Sequence, residues 1–248
     1  MNPTLNQVVS KSILPSVQKQ RVPLPTFFHV SKTGGETLVT LLGIPKDHGT
    51  ARSRLAAHPD LRNTWKISIV RNPWDRLVSW YFHLRRHLTP LADMRAHVTD
   101  LGKKAPCYVA AQRRLKMNPV EHRILAERLP FRRWALAVLN QPCLYTDPHW
   151  GPCGSQYDMI HDEHGTLLVD DVYKFEDGYS DKILPSILTR VGRSDLIPRI
   201  QVTNNSGPSR PHYSYYYQKD ADLVREVGRY FRKDVDTFEY VFEDVDAS

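Results

Sequence analysis

Two short apolar runs, "TFFHV" from Thr26 to Val30 and "WKISIV" from Trp65 to Val70, are each followed by a polar turn and then by apolar residues at helical spacing. Brief runs rich in aromatic and β-branched residues predict buried strands. After the first run, the turn Lys32-Thr33-Gly34-Gly35 leads into a helix over Glu36 to Leu42, which Gly43 and Pro45 end. After the second, Leu77, Trp80, Tyr81, Leu84 and Leu88 fall on one helical face. Asn72 or Asp75 can cap that helix, and Pro73 suits its first turn. A strand, a tight turn and a helix therefore occur twice.

The same reading continues along the chain. Lys103 to Asn140 is helical and basic, with apolar positions at Val120, Ile124, Leu125, Leu129, Trp134 and Val138. A third strand lies within Thr166 to Phe175, a helix passes through Ile183, Ile187 and Leu188, and an amphipathic helix runs from about Asp220 to Phe231. Strands alternating with helices predict an α/β fold with a central, mostly parallel sheet flanked by helices. Such sheets bind ligands at the carboxyl ends of their strands.

Composition narrows this only in part. A chain of 248 residues, 41% hydrophobic, can bury one good-sized core, and no internal repeat or low-complexity linker divides it. We expect a flexible arm over 1–24 and a single domain over 25–248. The arm has no apolar stretch long enough for a signal-peptide core or a membrane span, so a soluble, cytoplasmic protein is expected. A chain whose targeting segment had been removed would read the same. The net charge of +7 favours anionic ligands and leaves nucleic acid, nucleotides and acidic polysaccharides open. Of the three cysteines, Cys143 and Cys153 bracket a loop and could pair in an oxidising compartment, while free thiols, Cys107 included, are the plainer reading. No metal-ligand spacing is present, and no metal is expected.

The two turns carry the candidate chemistry. A Gly-Gly turn between a strand and a helix N-terminus aims backbone N–H groups at one spot, and the helix dipole favours negative charge there. Lys32 adds a cation, and Thr33 and Thr37 add hydroxyls. The order differs from Walker A, because the lysine precedes the glycines. At the second turn, the Arg71 guanidinium and the Ser79 hydroxyl can converge on another anion. Two anion sites at neighbouring strand ends suit a ligand with two separated anionic groups.

These residues carry a resemblance. "HVSKTGGETL" resembles the 5′-phosphosulfate loop, and "VRNPWDRLVSWY" the 3′-phosphate motif, of sulfotransferases that use 3′-phosphoadenosine 5′-phosphosulfate (PAPS). The likeness is to the branch with carbohydrate and heparan sulfate 2-O-type enzymes. It continues through "SQYDMIHDEHGTLLVDDVYKFED" and "HYSYYY", covering about Phe27 to Phe242. It implies a P-loop-like fold, with Lys32, Thr33, Gly34, Gly35, Glu36 and Thr37 at the 5′ side and Arg71 and Ser79 on the 3′-phosphate. Ser31 replaces the usual proline of that loop. Glu36 stands where the family commonly has Thr or Ser, either turned aside as a cap or weakening donor binding.

Sulfuryl transfer resembles phosphoryl transfer, so positioning and cationic stabilisation of the leaving phosphate supply most of the catalysis. Lys32 is the expected stabiliser. Among eleven histidines, His48 is the expected base, because His48-Gly49-Thr50-Ala51 resembles the His-x-Thr-Ala stretch of such enzymes. Its plainer reading is a surface loop histidine. His29 reads as structural, and Glu36 is a costly alternative base. Ser209, Arg210 and Tyr213 sit in a late loop that could close over the nucleotide, although the tyrosines there could equally pack the last helix on the sheet. His149 and Gln156 are expected on the acceptor side. The basic positions Lys103, Lys104, Arg113, Arg114, Lys116, Arg123, Arg128, Arg132 and Arg133 form either a solvated helix face or a groove for an anionic acceptor.

The expected activity is thus transfer of a sulfuryl group from PAPS to a hydroxyl, on a saccharide that can itself be anionic, leaving 3′,5′-adenosine bisphosphate (PAP). Nucleic acid is not an expected partner, and the sequence leaves the oligomeric state open. Two rivals stand beside it. A nucleotide kinase would need a Walker Lys-Ser/Thr pair and a magnesium-binding carboxylate, and neither is evident. A sulfotransferase-like binding protein without turnover is the other, motivated by Glu36.

Overall fold

The computed structural model describes residues 22–47, 49–86, 119–140, 151–201, 210–218 and 220–244. Among these residues the strands form one parallel sheet, in the order β1 (Thr26–Phe28), β2 (Lys66–Val70) and β3 (Asp171–Lys174). Phe27 lies beside Ile67 and Phe28 beside Ser68, while Ile69 pairs with Tyr173 and Val70 with Lys174. The α/β class and the central parallel sheet expected from the sequence are the ones found. No helix among the described residues is long and apolar enough to cross a membrane.

Because side chains alternate along a strand, each face of the sheet has its own core. One face carries Phe27, Ile67 and Ile69, packed by Leu38 and Leu42 of α1 (Gly35–Leu42) and by Leu184, Ile187 and Leu188 of α7 (Leu184–Arg190). The other carries Phe28 and Val70, covered by Leu77 and Val78 of α3 (Pro73–Arg86), Trp134 of α5 (Phe131–Asn140) and Val227 of α8 (Ala221–Tyr230). Each of these large side chains contributes roughly 1.5–3 kcal/mol by leaving water. Between the major helices run α2 (Ala51–Ala57), α4 (Pro119–Arg128), α6 (Gln156–Ile160) and α9 (Arg232–Thr237).

The structure departs from the expected boundaries for local reasons. β1 ends at Phe28, and the Val30 carbonyl accepts the Thr33 hydroxyl at 2.8 Å, folding the chain into its turn. Of the run from Thr166 to Phe175, only Asp171–Lys174 pairs as a strand. Upstream, the Asp162 carboxylate takes the backbone N–H groups of His164 and Thr166, which bends Thr166 away from extension. The helix through Ile183 starts as a wide turn, with the Ile183 N–H reaching the Gly178 carbonyl at 3.0 Å. The helix expected from about Asp220 to Phe231 is found as α8, and the sequence reading did not include the short α9 that follows it and carries the buried Asp234.

Candidate functional site

The Lys32 turn leaves the carboxyl end of β1 and is shaped by steric limits. Lys32 and Gly34 both adopt left-handed backbone, at φ 68° and 88°. For lysine this conformation costs about 1 kcal/mol or more, so the surroundings must enforce it. A methyl group on Gly35 would lie 2.3 Å from the His29 ring, and one on Gly34 would lie 2.8 Å from the ring of Tyr179. The Tyr179 hydroxyl donates to the Gly34 carbonyl. Both glycines are therefore required by close approach, and in the first turn of α1 the Thr37 N–H bonds back to the Gly34 carbonyl at 3.1 Å.

The electrostatics of this turn fit an anion. Burial, together with the like charges of Arg71, Lys46 and Arg86, pulls the Lys32 ammonium down to about 8, with Glu36 only partly opposing. Glu36 itself forms an ion pair with Lys46. Its carboxylate is thus engaged with a cation of the following loop. Thr33 and Thr37 are buried, and the Thr33 hydroxyl is spent on Val30.

The Arg71 turn leaves β2 beside it. Arg71 Nη1 donates to the Lys32 carbonyl at 3.2 Å, so the two turns are joined directly. The guanidinium also lies over the Phe175 ring, 4.4 Å from its centroid, and its Nε donates to Asp75 Oδ2 at 2.8 Å. Asp75 Oδ1 accepts Arg210 Nη2 at 2.5 Å, bringing the late loop to the same carboxylate. Burial pushes the Asp75 carboxyl up, but the two guanidiniums outweigh it and hold it below the usual range. Ser79 is buried one turn beyond Asp75 on the same face of α3. Asn72, rather than Asp75, caps that helix, accepting the Trp74 N–H at 3.1 Å.

Several supporting residues escaped the sequence reading. Gln156, expected at the acceptor, is instead fully buried under Arg71: its Oε1 accepts the Arg71 N–H at 2.8 Å and its Nε2 donates to the Arg71 carbonyl at 2.7 Å. Asp234 anchors Gln156 in turn, accepting the N–H groups of Gln156 and Tyr157 and the Ser155 hydroxyl. Burial raises the Asp234 carboxyl despite the Arg76 charge. Arg76 donates to the carbonyls of Ser31 and Gly154, fastening the Lys32 turn to α3. Glu176 accepts the Asn72 N–H at 2.8 Å, and burial raises its carboxyl. The one available sequence signal for Gln156 and Asp234 was a polar residue inside an apolar pattern, which names no partner.

The remaining expected residues divide as follows. His48, His149 and Ser209 lie outside the described residues, as do Cys107, Cys143, Lys103, Lys104, Arg113, Arg114 and Lys116. The chain on either side of position 48 is anchored: Asp47 accepts the Gly49 N–H and pairs with Arg54, which reaches the Phe27 carbonyl at 2.7 Å. Tyr213 is buried, its hydroxyl accepting N–H groups of Asn72 and Glu243 and its ring meeting Phe242 edge-on. Tyr217 donates to the Trp74 carbonyl, so these two tyrosines make packing contacts. Cys153 is a buried thiol against the Val138 carbonyl. Arg123 and Arg132 are engaged by Glu127 and Asp220, while Arg128 and Arg133 are exposed.

Parallel strands ending in a glycine turn and an arginine turn, tied together and rich in positive charge, give an α/β protein an arrangement suited to an anionic ligand. The chain matches the model of the Sulfotransferase family over residues 27–241, and it belongs to that family. No curated protein and no solved structure matches it. Family membership supports sulfuryl transfer as the general activity.

Proposed function

We propose that this chain transfers a sulfuryl group from PAPS to a hydroxyl of a saccharide acceptor, as in the carbohydrate and heparan sulfate 2-O-type branch its motifs resemble. The observation that carries the reading is the direct junction of the two cationic turns, Arg71 Nη1 to the Lys32 carbonyl. The donor's anionic groups fit the residues present. Lys32 is a buried cation whose proton is held weakly because of its burial and the neighbouring positive charge of Arg71. Arg210 Nη1 is buried with no hydrogen-bond partner among the described residues.

Lys32, the α1 N-terminus and the left-handed Gly34 would hold the 5′ side, with Arg71, Arg210 and Ser79 on the 3′-phosphate. When bound, the donor supplies an activated sulfuryl group whose departure from phosphate leaves added negative charge on that oxygen. Lys32 is placed to offset the charge, and an anion beside it would favour its protonated form. His48 would take the acceptor hydroxyl proton on a ring nitrogen. The Glu36–Lys46 pair favours turnover over binding alone, because it neutralises the carboxylate that motivated the inactive alternative. The net charge of +7 and the exposed Arg128 and Arg133 favour an anionic saccharide.

Two measurements test this. Calorimetry should show PAP binding well ahead of ATP; ATP binding as tightly, with no benefit from a 3′-phosphate, would defeat the donor assignment. Labelled PAPS incubated with a panel of glycans and small alcohols should mark a saccharide, and His48→Ala should abolish that label.

A further inference from the structure

Arg71 and Arg210 are far apart in sequence, and both are mostly buried, yet both end on one carboxylate. Asp75 Oδ2 receives Arg71 Nε at 2.8 Å and Nη2 at 2.6 Å, while Oδ1 receives Arg210 Nη2 at 2.5 Å. The side chains of all three residues are no more than 13% exposed. Two guanidiniums cannot be buried side by side without a counter-charge, since arginine does not shed its proton. One carboxylate leaves the trio with a net positive charge.

The unused donors matter more than the used ones. Arg71 has five N–H bonds, and Asp75 and the Lys32 carbonyl take three. Its plane is fixed against Phe175 and its backbone is gripped by Gln156. Arg210 Nη1 is buried without a partner among the described residues. A buried cationic donor left unpaired is costly unless a ligand satisfies it.

We infer that Asp75 is a positioning residue that aligns Arg71 and Arg210 into one two-arginine clamp for a phosphate dianion. This rests on the donor reading given above, which places the 3′-phosphate at these arginines. Asp75 itself makes no contact with the phosphate. It occupies one edge of each guanidinium, so the remaining edges present together. Without it, like-charge repulsion separates the pair and the phosphate must draw it back together on binding. The opposite possibility is a competitor: a carboxylate that merely fills the place of the phosphate, whose removal would tighten binding.

Calorimetry on the full chain distinguishes them, with PAP and adenosine 5′-monophosphate as probes, which share the 5′ side and differ at the 3′-phosphate. Wild type should prefer PAP by well over tenfold. In Asp75→Asn that preference should fall about tenfold, with the monophosphate affinity unchanged, and Asp75→Glu should recover part of it. A general loss of folding would reduce the amount of binding protein without altering the ratio. Should Asp75→Asn fail to fold, Arg210→Gln leaves the Arg71–Asp75 pair intact and should cut the same ratio about tenfold. If wild type shows no preference for PAP, the donor reading falls and this inference falls with it. If wild type prefers PAP and folded Asp75→Asn keeps the full preference or binds PAP more tightly, or if Arg210→Gln keeps the full preference, the donor reading stands and the positioning role is overturned.

Discussion

The Lys32 turn and the Arg71 turn adjoin, yet steric exclusion shapes one and carboxylates shape the other. Around Lys32 the fixed points are the rings of His29, Phe175 and Tyr179 beneath two glycines. Around Arg71 they are Asp75, Glu176 and, further down, Asp234. The difference follows from the two cations. A buried lysine can lower its proton affinity, as Lys32 does to about 8, whereas a buried arginine must be given an opposite charge. The first turn thus carries a charge that is lost a little above neutral pH unless an anion holds the proton, and the second keeps its charge in place at any such pH.

The sharpest way to break that contrast is Lys32→Ala, which should lower sulfuryl-transfer turnover by about 10²–10³-fold while the chain still melts cooperatively. Turnover within a few-fold of wild type would show that the first turn needs no cation. Next comes shape: Gly35→Ala forces a methyl group into the His29 ring and should cost about 2–3 kcal/mol in a urea melt. An unchanged midpoint would mean the His29 ring moves freely.

Acidity should separate the turns more gently. In the free protein Lys32 loses its proton through about pH 8, against 10.5 ordinarily, so PAP affinity should weaken about tenfold between pH 7 and pH 9.5. For stability the sign is reversed. Between about pH 8 and 10.5 the unfolded chain binds a proton that the folded one lacks, and this group's contribution to stability rises with pH. Heats of PAP binding in buffers of different ionisation enthalpy would reveal proton uptake near pH 8, and its absence would remove Lys32 as the titrating group. The smallest effect belongs to Glu36→Thr, which should tighten PAP by about twofold to fivefold, because its charge at the helix start is already offset by Lys46. Weaker binding would mean that the Glu36–Lys46 pair itself shapes the loop.

Both strand-turn-helix units were legible in the sequence because their signals are local. Apolar runs, Gly34-Gly35, Pro73 and the spacing of Leu77, Trp80, Tyr81 and Leu84 each act within a few residues. The two cationic turns could be placed side by side because parallel sheets align their strand ends. What stayed hidden is held by distant pairs. Asp75 reads as a helix cap until Arg210 reaches it across 135 positions, and nothing local marks Arg76 as the donor to the Ser31 and Gly154 carbonyls. Gln156 shows the same blindness: its amide mimics a strand neighbour for Arg71, which no spacing rule records. The helix end at Phe231 was legible, whereas α9 beyond it and the burial of Asp234 were not, because the partners of that carboxylate begin at Ser155, 79 positions upstream.

The carbonyl of Val241 completes the Asn72 amide at 3.0 Å, from 169 positions further along. Protein synthesis makes α3 early and that partner late. A nascent chain stalled before residue 240 can lay down all three strands, but its arginine turn still lacks Val241, the Tyr240–Glu176 contact and the Glu243 backbone donor to Tyr213. The brace on the arginine turn is thus supplied from far down the chain, and a polypeptide cut before residue 240 would keep the three strands while losing three contacts that steady Asn72, Glu176 and Tyr213.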